Sequence, residues 1–328
     1  MNSNFTLSET VLGKGAFGTV YKGTNNDTGQ EVAIKALVKN KVDAKSLAKE
    51  IAVLKKCKHE NIIKFHGCFE DDTYFYVATE LARGGELFDH IVRRKRYSEN
   101  DARAIMKQVL ATLVYLHKNK IAHLDLKPEN LLLKSVPEHY DEGDSKFLPC
   151  IKIADFGTAL IVNKTEPDNV GTPGYVAPEV LLRKPYTTEP DIYALGVITY
   201  VMLAGHLPFN AQDQKLMLQQ QVKGDWSFSQ KFFNVSKPAV DFIMRCMEIN
   251  PEKRPTAVQL MTHKWFTDAE IDFELADTQD NLKEYLAKLK LKVSFQAVRI
   301  GIALSSDIGQ KWAESGFMAV NHLKQKKE

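Results

Sequence analysis

The chain has 328 residues, of which 44% are hydrophobic and 26% charged, a balance typical of water-soluble globular proteins with a large buried core. Its net charge of +3 is too small to indicate binding to nucleic acid or to a membrane, so neither partner is expected. The cysteines are far apart and form no Cys-x-x-Cys pair, which favours reduced thiols in a cytoplasmic protein over a zinc site or disulfides.

The amino-terminal part of the chain predicts strands and one helix. It lacks a basic segment followed by an apolar one, so a secretory signal is not expected. FTLSETVLGKGAFGTVYKGTNN alternates around glycines and ends in a turn, and EVAIKALVK predicts a further strand. The segment 44–56 predicts a helix with Leu47, Ile51 and Leu54 on one stripe.

The rest of the chain predicts mainly helices. Ser98 and Asp101 form an amino-terminal capping signature, and apolar residues follow at helical spacing up to Leu116. Residues 135–149 are polar and rich in turn formers, which predicts a solvated loop. Helical patterns resume over 190–266, where the apolar run YALGVITYVMLAG is too short to span a bilayer and predicts a buried helix.

The segment LGKGAFGTV places Gly13, Gly15 and Gly18 between predicted strands, where glycines let the backbone approach phosphate oxygens. A flexible hairpin is the alternative. A dinucleotide-binding fold does not fit, because TVYKG continues as a strand where that fold needs a helix. Lys35 ends the apolar run VAIK, so its ammonium needs a partner. Glu50 interrupts the apolar stripe of the next helix, which predicts an ion pair that holds Lys35 against phosphates rather than a solvated helix edge.

The segment HLDLKPEN carries polar groups suited to phosphoryl transfer. Asp125 can accept the proton of an attacking hydroxyl, and Lys127 can neutralise charge on the transferred group. Asn130 offers an oxygen to a hard cation, and Asp155 in ADFG offers a second. Each piece alone is compatible with an ordinary loop or cap. The order of glycine loop, VAIK lysine, HxDxKxxN and DFG favours one catalytic site.

Together these motifs resemble those of eukaryotic protein kinases over about residues 6–266. GTPGYVAPE, the DIYALGV helix and NPEKRP extend the likeness through the second half of that segment. The resemblance implies an α+β fold with two lobes. It predicts a β-rich small lobe over about 6–81, a helical large lobe over about 82–266, and ATP with Mg²⁺ between them.

The resemblance also implies a nucleotide site. The backbones of Glu80 and Ala82 are expected to bind the edge of the adenine, with Thr79 deep in the pocket. Leu12, Val20, Ala33 and Leu132 are expected to sandwich the adenine. The other residues expected around the nucleotide are Gly13, Lys14, Gly15, Ala16, Phe17, Gly18, Thr19, Lys35, Glu86, Glu129 and Asp155.

Catalytic roles follow from the same resemblance. Asp125 becomes the base, Lys127 the phosphate-contacting lysine, and Asn130 and Asp155 the Mg²⁺ ligands. The DLKPEN form, together with Thr172, indicates serine or threonine substrates. The remaining family positions are Lys35 with Glu50, and the pair Glu179 and Arg254, which is expected to be structural.

Leu124 stands where many kinases carry an arginine that binds a phosphate on the activation segment. Leucine cannot bind phosphate, so that switch is absent, and control is expected elsewhere. The segment NKTEPDNV accordingly offers Glu166 and Asp168, with Thr165 as its one phosphoacceptor. HLDLKPEN is the form seen in myosin light-chain kinases, and GGELF is typical of the wider calmodulin-dependent group.

Substrate choice is predicted from two acidic positions. Glu86 in GGELF and Glu129 in KPEN match family positions that face basic residues upstream of the phosphoacceptor, so protein substrates with upstream arginine or lysine are expected. The basic run RRKR at 93–96 is interpreted as a solvated face rather than a targeting or nucleic-acid patch.

The tail, residues 267–328, predicts a regulatory helix. Leu291, Phe295, Val298 and Leu304 have the spacing of anchors for Ca²⁺/calmodulin, although a leucine replaces the usual tryptophan and basic residues are few. Lys288, Lys290 and Lys292 are expected to mimic a basic substrate in the groove, and truncation after Phe266 is expected to leave an active, calcium-independent enzyme. The alternative is a tail packed permanently on the large lobe.

Two other functions compete with an active protein kinase. A pseudokinase scaffold would be favoured by a missing Lys35, Asp125 or Asp155, but all three are present. A small-molecule kinase of the same fold is disfavoured by the full GTPGYVAPE segment, which matches a platform for peptides.

Overall fold

The computed structural model describes most of the chain up to residue 290. The described residues are 4–14, 18–94, 96–136, 149–162, 170–209, 213–228, 235–268, 272–275 and 277–290. They form a β-rich small lobe and a helical large lobe, which confirms the α+β fold class.

The small lobe is a five-stranded antiparallel sheet with the order β1-β2-β3-β5-β4. Its elements are β1 (Phe5–Lys14), β2 (Gly18–Asn25), β3 (Glu31–Val38), α1 (Ala44–Lys56), β4 (Phe65–Glu70) and β5 (Tyr74–Glu80). On β3, Val32 and Ile34 are fully buried. Because side chains alternate along a strand, Ala33 and Lys35 point to the opposite face. The bounds of α1 confirm the predicted helix over 44–56.

The large lobe is mainly helical. Its elements are β6 (Gly85–Glu86), α2 (Leu87–Arg93), α3 (Glu99–Lys118), β7 (Ile121–Ala122), β8 (Leu131–Leu133), β9 (Ile151–Ile153), β10 (Leu160–Ile161), α4 (Pro178–Leu181), α5 (Glu189–Ala204), α6 (Gln214–Lys223), α7 (Lys237–Cys246), α8 (Ala257–Leu260) and α9 (Lys264–Thr267). Short 3₁₀ helices cover Lys39–Lys41 and Pro128–Asn130.

Two predicted features of these helices are confirmed. A reciprocal capping box between Ser98 and Asp101 starts α3. Helix α5 is buried on every side from Pro190 to Ala204, as its apolar sequence predicts. Of the helices in the described part of the chain, none combines the length and apolar character needed to cross a bilayer.

The compact unit that holds both lobes continues past α9 to Lys283. Leu275 and Leu282 are buried in it, and Leu282 lies in a helix over residues 277–290. The backbone N–H of Leu275 donates to the Tyr97 carbonyl, and the Thr278 hydroxyl donates to the Leu203 carbonyl. Truncation after Phe266 would remove Leu275, Thr278 and Leu282 and leave their partners in the large lobe uncovered, so the structure favours separating the tail beyond residue 283.

Several predictions lie outside the described residues and stay predictions. They concern the tip of the glycine loop (Gly15, Ala16 and Phe17), part of the activation segment (Thr165, Glu166 and Asp168), and the tail positions Leu291, Lys292, Phe295, Val298 and Leu304.

Candidate active site

Lys35 lies at the centre of a charged cluster between the lobes. Its Nζ atom is 2.9 Å from Oδ1 of Asp155 and 3.9 Å from Oε1 of Glu50, which α1 presents from a buried position. The predicted ion pair between Lys35 and Glu50 is therefore confirmed. The shorter contact to Asp155 was missed, because sequence reasoning had assigned that carboxylate to a metal alone.

The charges in this cluster shift one another's protonation. Burial alone would lower the pKa of Lys35, but Asp155 and Glu50 together raise it above its ordinary value. Burial works against the charge on Asp155, yet Lys35 lowers the pKa of that carboxyl. Burial raises the pKa of Glu50 above its ordinary value of 4.5, against the pull of Lys35. As pH falls, Glu50 is therefore neutralised before Asp155, and its pairing with Lys35 weakens first.

Asp125, Lys127 and Thr172 form a closed triangle of hydrogen bonds. Lys127 Nζ donates to Asp125 Oδ2 at 2.6 Å and to Thr172 Oγ1 at 2.9 Å. Thr172 Oγ1 in turn donates to Asp125 Oδ1 at 2.6 Å. The triangle fixes the carboxylate and places a positive charge beside it, as transfer of a charged group to a hydroxyl requires.

Asn130 and Asp155 present oxygen atoms suited to a hard cation. The Asn130 amide nitrogen donates to the Asp125 carbonyl at 2.8 Å, which leaves the Asn130 Oδ1 atom as an acceptor. Asp155 has a positive φ of 57°, a conformation that non-glycine residues adopt mainly where the surroundings enforce it. Carboxylate and amide oxygens are the ligands that Mg²⁺ prefers, so this donor set fits that ion.

The buried Asp191 on α5 holds the backbone of the catalytic loop. Its carboxylate accepts from the N–H of His123 at 2.9 Å and from the N–H of Leu124 at 2.8 Å. Nε2 of His117 lies 2.9 Å from the same carboxylate. Burial opposes its charge, but the hydrogen bond with His117 lowers the pKa of Asp191. Sequence reasoning missed this residue, although an aspartate inside an apolar helix was the available signal.

Leu124 is held by this network in a left-handed backbone conformation with φ of 67°. Its side chain is 7% exposed and lines a small pocket together with Tyr175, Val176 and Pro190. Backbone hydrogen bonds to Asp191 and apolar contacts of Leu124 therefore position this loop. No phosphate bound by residue 124 is needed to hold it.

Strand register brings the predicted nucleotide residues together. Ala33 lies opposite Thr79, and Val20 lies opposite Lys35. Leu132 on β8 lies opposite Glu86 on β6. The end of β1 carries Leu12, Gly13 and Lys14, and the start of β2 carries Gly18 and Thr19. Glu80 is the last residue of β5, and Ala82 follows two residues later.

Two details refine the expected backbone contacts of this pocket. A Cβ atom at Gly18 would overlap the carbonyl of Ala36, so glycine is needed there to let β3 pair closely with β2. The same lack of a side chain would let a phosphate approach the backbone. The N–H of Ala82 donates to no acceptor among the described residues, as expected for a group that meets a ligand.

Comparison with known proteins decides the family. The protein kinase domain model matches residues 7–266. The chain belongs to the protein kinase family. A probable myosin light chain kinase of Dictyostelium discoideum is 39% identical over 292 residues, which cover 86% of this chain and 72% of that protein.

Two further relatives are calmodulin-dependent kinases by name. Calcium/calmodulin-dependent protein kinase type II of Caenorhabditis briggsae is 36% identical over 96% of this chain and 60% of its own length. Calcium/calmodulin-dependent protein kinase type 1 of Caenorhabditis elegans is 38% identical over 88% of this chain and 82% of its own length. The chain is thus a serine/threonine protein kinase of the calmodulin-kinase and myosin light-chain-kinase type, a family that uses ATP and Mg²⁺.

In this kinase, the carboxylate of Glu129 is partly buried. Its Oε2 atom is inaccessible to solvent and has no hydrogen-bond partner among the described residues. Burial raises the pKa of Glu129 above its ordinary value, with Lys127 acting in the opposite direction. A partly buried carboxylate with one unbonded oxygen is costly, and a cationic ligand would relieve the cost.

The basic run at 93–96 does not form a continuous exposed patch in the kinase. The Arg94 side chain is 3% exposed and pairs with Asp101 at 3.0 Å. Arg96 pairs with Glu274. The interpretation as a solvated face is therefore wrong for Arg94, because its guanidinium turns inward to pair with the Asp101 carboxylate at the start of α3.

Proposed function

We propose that this kinase transfers the γ-phosphate of ATP to serine or threonine in protein segments with arginine or lysine upstream. The triangle of Asp125, Lys127 and Thr172 carries the proposal, because it presents a fixed carboxylate and an ammonium at one point. Asp125 accepts the proton of the attacking hydroxyl, and Lys127 stabilises charge on the transferred group.

The residues around the triangle position the nucleotide. Lys35, oriented by Glu50, contacts the phosphates, and Asn130 with Asp155 holds Mg²⁺. When bound, the ion neutralises charge on the phosphate oxygens. The protein itself contributes mainly position and preorganised charge, since phosphoryl transfer needs little covalent participation from it. Asp125→Asn should lower kcat while ATP still binds, which tests the assignment of the base.

Glu129 supplies the basis for substrate choice and a test of it. Replacing Glu129 with glutamine should raise the KM for a peptide with upstream arginine by about 10- to 100-fold, because a charge-assisted hydrogen bond to arginine is lost. The same substitution removes a charge from a partly buried position, so the melting temperature should not fall. Steady-state kinetics with basic and alanine-substituted peptides, together with thermal melts, measure both effects.

The pH dependence provides an internal control. Since the pKa of Glu129 is raised, acidification protonates it at a pH above its ordinary 4.5, and KM for the basic peptide should rise there. The Glu129→Gln variant should lack this rise. A preference for acidic peptides, or a larger effect on KM for ATP than for the peptide, would contradict the assignment of Glu129 to substrate.

The tail is proposed to inhibit the enzyme until Ca²⁺/calmodulin binds it. Two observations support this regulation. The relatives named above include calmodulin-dependent kinases. Leu124 is packed among apolar side chains, so residue 124 offers no group that could bind a regulatory phosphate. Calmodulin can release the inhibition only by binding the released state more tightly than the inhibited state. The tail anchors should therefore control both inhibition and release.

Two variants of the full chain test this control. Truncation after Lys283 keeps the buried Leu275 and Leu282, removes Lys288, Lys290 and Lys292, and should give calcium-independent activity. Phe295→Asp combined with Leu304→Asp should abolish calmodulin binding and weaken inhibition by the tail, because the same anchors serve both. Gln296→Asp with Ser305→Asp adds the same charge beside the anchors and serves as the matched control. Equal activity of the truncated and full-length chains, with or without calmodulin, would refute the regulatory role.

A further inference from the structure

A buried ion pair joins the end of β5 to the strand that leads to Asp155. Lys152 lies on β9 and is 6% exposed, and its Nζ atom is 2.8 Å from Oε2 of Glu80. The chemistry proposed above uses the backbone of Glu80 but neither of these two side chains. Buried lysines are rare unless paired, so placing Lys152 here costs free energy. A function of the ion pair would offset that cost.

The pair has further partners in the connection between α1 and β4. The same Glu80 oxygen accepts from the backbone N–H of Lys64 at 3.2 Å, and Lys152 Nζ lies 3.4 Å from the Ile62 carbonyl. The Glu80 N–H donates to the Lys64 carbonyl at 2.8 Å. Glu80 is thus held through both its backbone and its carboxylate, and Lys152 supplies the charge that completes the arrangement.

Lys152 also lies on the same face of its sheet as a residue expected at the adenine. It lies directly opposite Leu132 across the β8–β9 ladder, and directly paired residues place their side chains on the same face of a sheet. Leu132 is the residue expected beneath the adenine. The ion pair therefore links the small sheet that carries the expected floor of the pocket to Glu80, whose backbone is expected at the adenine edge.

The burial of Lys152 and the low exposure of Glu80 favour an orienting role over a stabilising one. Removing two charges from water costs about as much as their attraction returns, so such pairs contribute little net stability compared with apolar replacements. They do select one arrangement of the groups they join. Here the pair fixes the direction of the Glu80 side chain and thereby the orientation of the peptide groups that follow Glu80.

We propose that Lys152 is a positioning residue for the adenine base. By holding the Glu80 carboxylate, it orients the Glu80 carbonyl and the Ala82 N–H so that they match adenine and not guanine. The proposal rests on the placement of adenine at Glu80 and Ala82. It predicts that loss of the pair weakens ATP binding and base discrimination while the transfer step, which uses other side chains, proceeds.

The test compares single and double replacements of the pair. Lys152→Gln should raise the Kd and KM for ATP about tenfold, lower the preference for ATP over GTP by a similar factor, and change kcat by less than about twofold. The double variant Glu80→Gln with Lys152→Gln replaces the ion pair by an amide pair without an unpaired charge. It should recover most of the ATP affinity and keeps the test interpretable if the single variant is unstable.

Two controls separate the possible failures. Arg245→Gln breaks an exposed ion pair with Asp241 on α7 and should leave the preference for ATP unchanged. Ala82→Pro removes the N–H expected to bind adenine and should weaken nucleotide binding on its own. Equilibrium binding of fluorescent ATP and GTP analogues reports these effects without turnover.

The outcomes are distinct. If Lys152→Gln lowers the melting temperature but leaves the Kd for ATP and the ATP-to-GTP ratio unchanged, the pair is structural and the proposal is overturned. If Ala82→Pro binds ATP normally, adenine does not lie at this edge, and the placement on which the proposal depends fails, although the assignment of the kinase remains.

Discussion

Replacing Asp125 with asparagine is expected to lower kcat by about 10²–10⁴-fold, the usual range for loss of general-base catalysis. Asparagine has almost the same shape and can still accept the hydrogen bond from Thr172, so the loop should remain in place. It cannot accept the proton of the substrate hydroxyl. Steady-state kinetics with a serine peptide should show the loss, while ATP binding measured at equilibrium should persist.

Asp155→Ala is the informative comparison for this variant. It removes a proposed Mg²⁺ ligand and the close partner of Lys35, so it should weaken binding of Mg²⁺-ATP instead of leaving it intact. The two variants thus separate proton acceptance from nucleotide binding. Near-normal turnover in both would contradict the roles assigned to this site.

Arg254→Met is expected to cost about 3–5 kcal/mol of folding free energy, because it leaves the buried carboxylate of Glu179 unpaired. The side chains of Arg254 and Glu179 are 0% and 1% exposed, and Arg254 Nη1 lies 2.6 Å from Glu179 Oε1. The guanidinium also donates to the backbone carbonyls of Glu189 and Glu248. For a domain of this size, the melting temperature should fall by roughly 10 °C.

A double variant shows where this cost arises. Glu179→Gln with Arg254→Met removes the uncompensated charge and should recover part of the loss in a calorimetric melt. Arg245→Met, at the exposed pair with Asp241, should shift stability by less than about 1 kcal/mol. A double variant as unstable as the sum of its single variants would show that the lost carbonyl contacts, rather than the unpaired carboxylate, dominate.

Local signals in the sequence were sufficient for several parts of this structure. The apolar stripe gave the helix 44–56, and the pairing of Ser98 with Asp101 gave the start of α3. Lys35 with Glu50 could be predicted because each polar residue interrupts an apolar pattern and needs a partner. Glu179 with Arg254 followed from the family likeness and is confirmed.

Contacts between distant segments were the part that could not be predicted. Asp191 binds the backbone N–H groups of His123 and Leu124. Because almost every residue has a backbone N–H, the residue types at 123 and 124 do not indicate this contact. The burial of Arg94 depends on how α2 meets α3, which the run RRKR does not encode. The pair of Lys152 with Glu80 joins strands that are neighbours only after both lobes have formed.

The packing of residues 272–275 and 277–283 has a consequence for biosynthesis. A chain is made from its amino terminus, so the ends of α2 and α5 leave the ribosome well before Leu282. Until Thr278 emerges, the Leu203 carbonyl lacks its partner, and until Leu282 emerges, Gly205 lacks part of the chain that encloses it. The large lobe can complete its core only after the stretch leading into the tail has been synthesised. A stalled or prematurely terminated chain ending at Phe266 would therefore present an open apolar surface to chaperones and proteases.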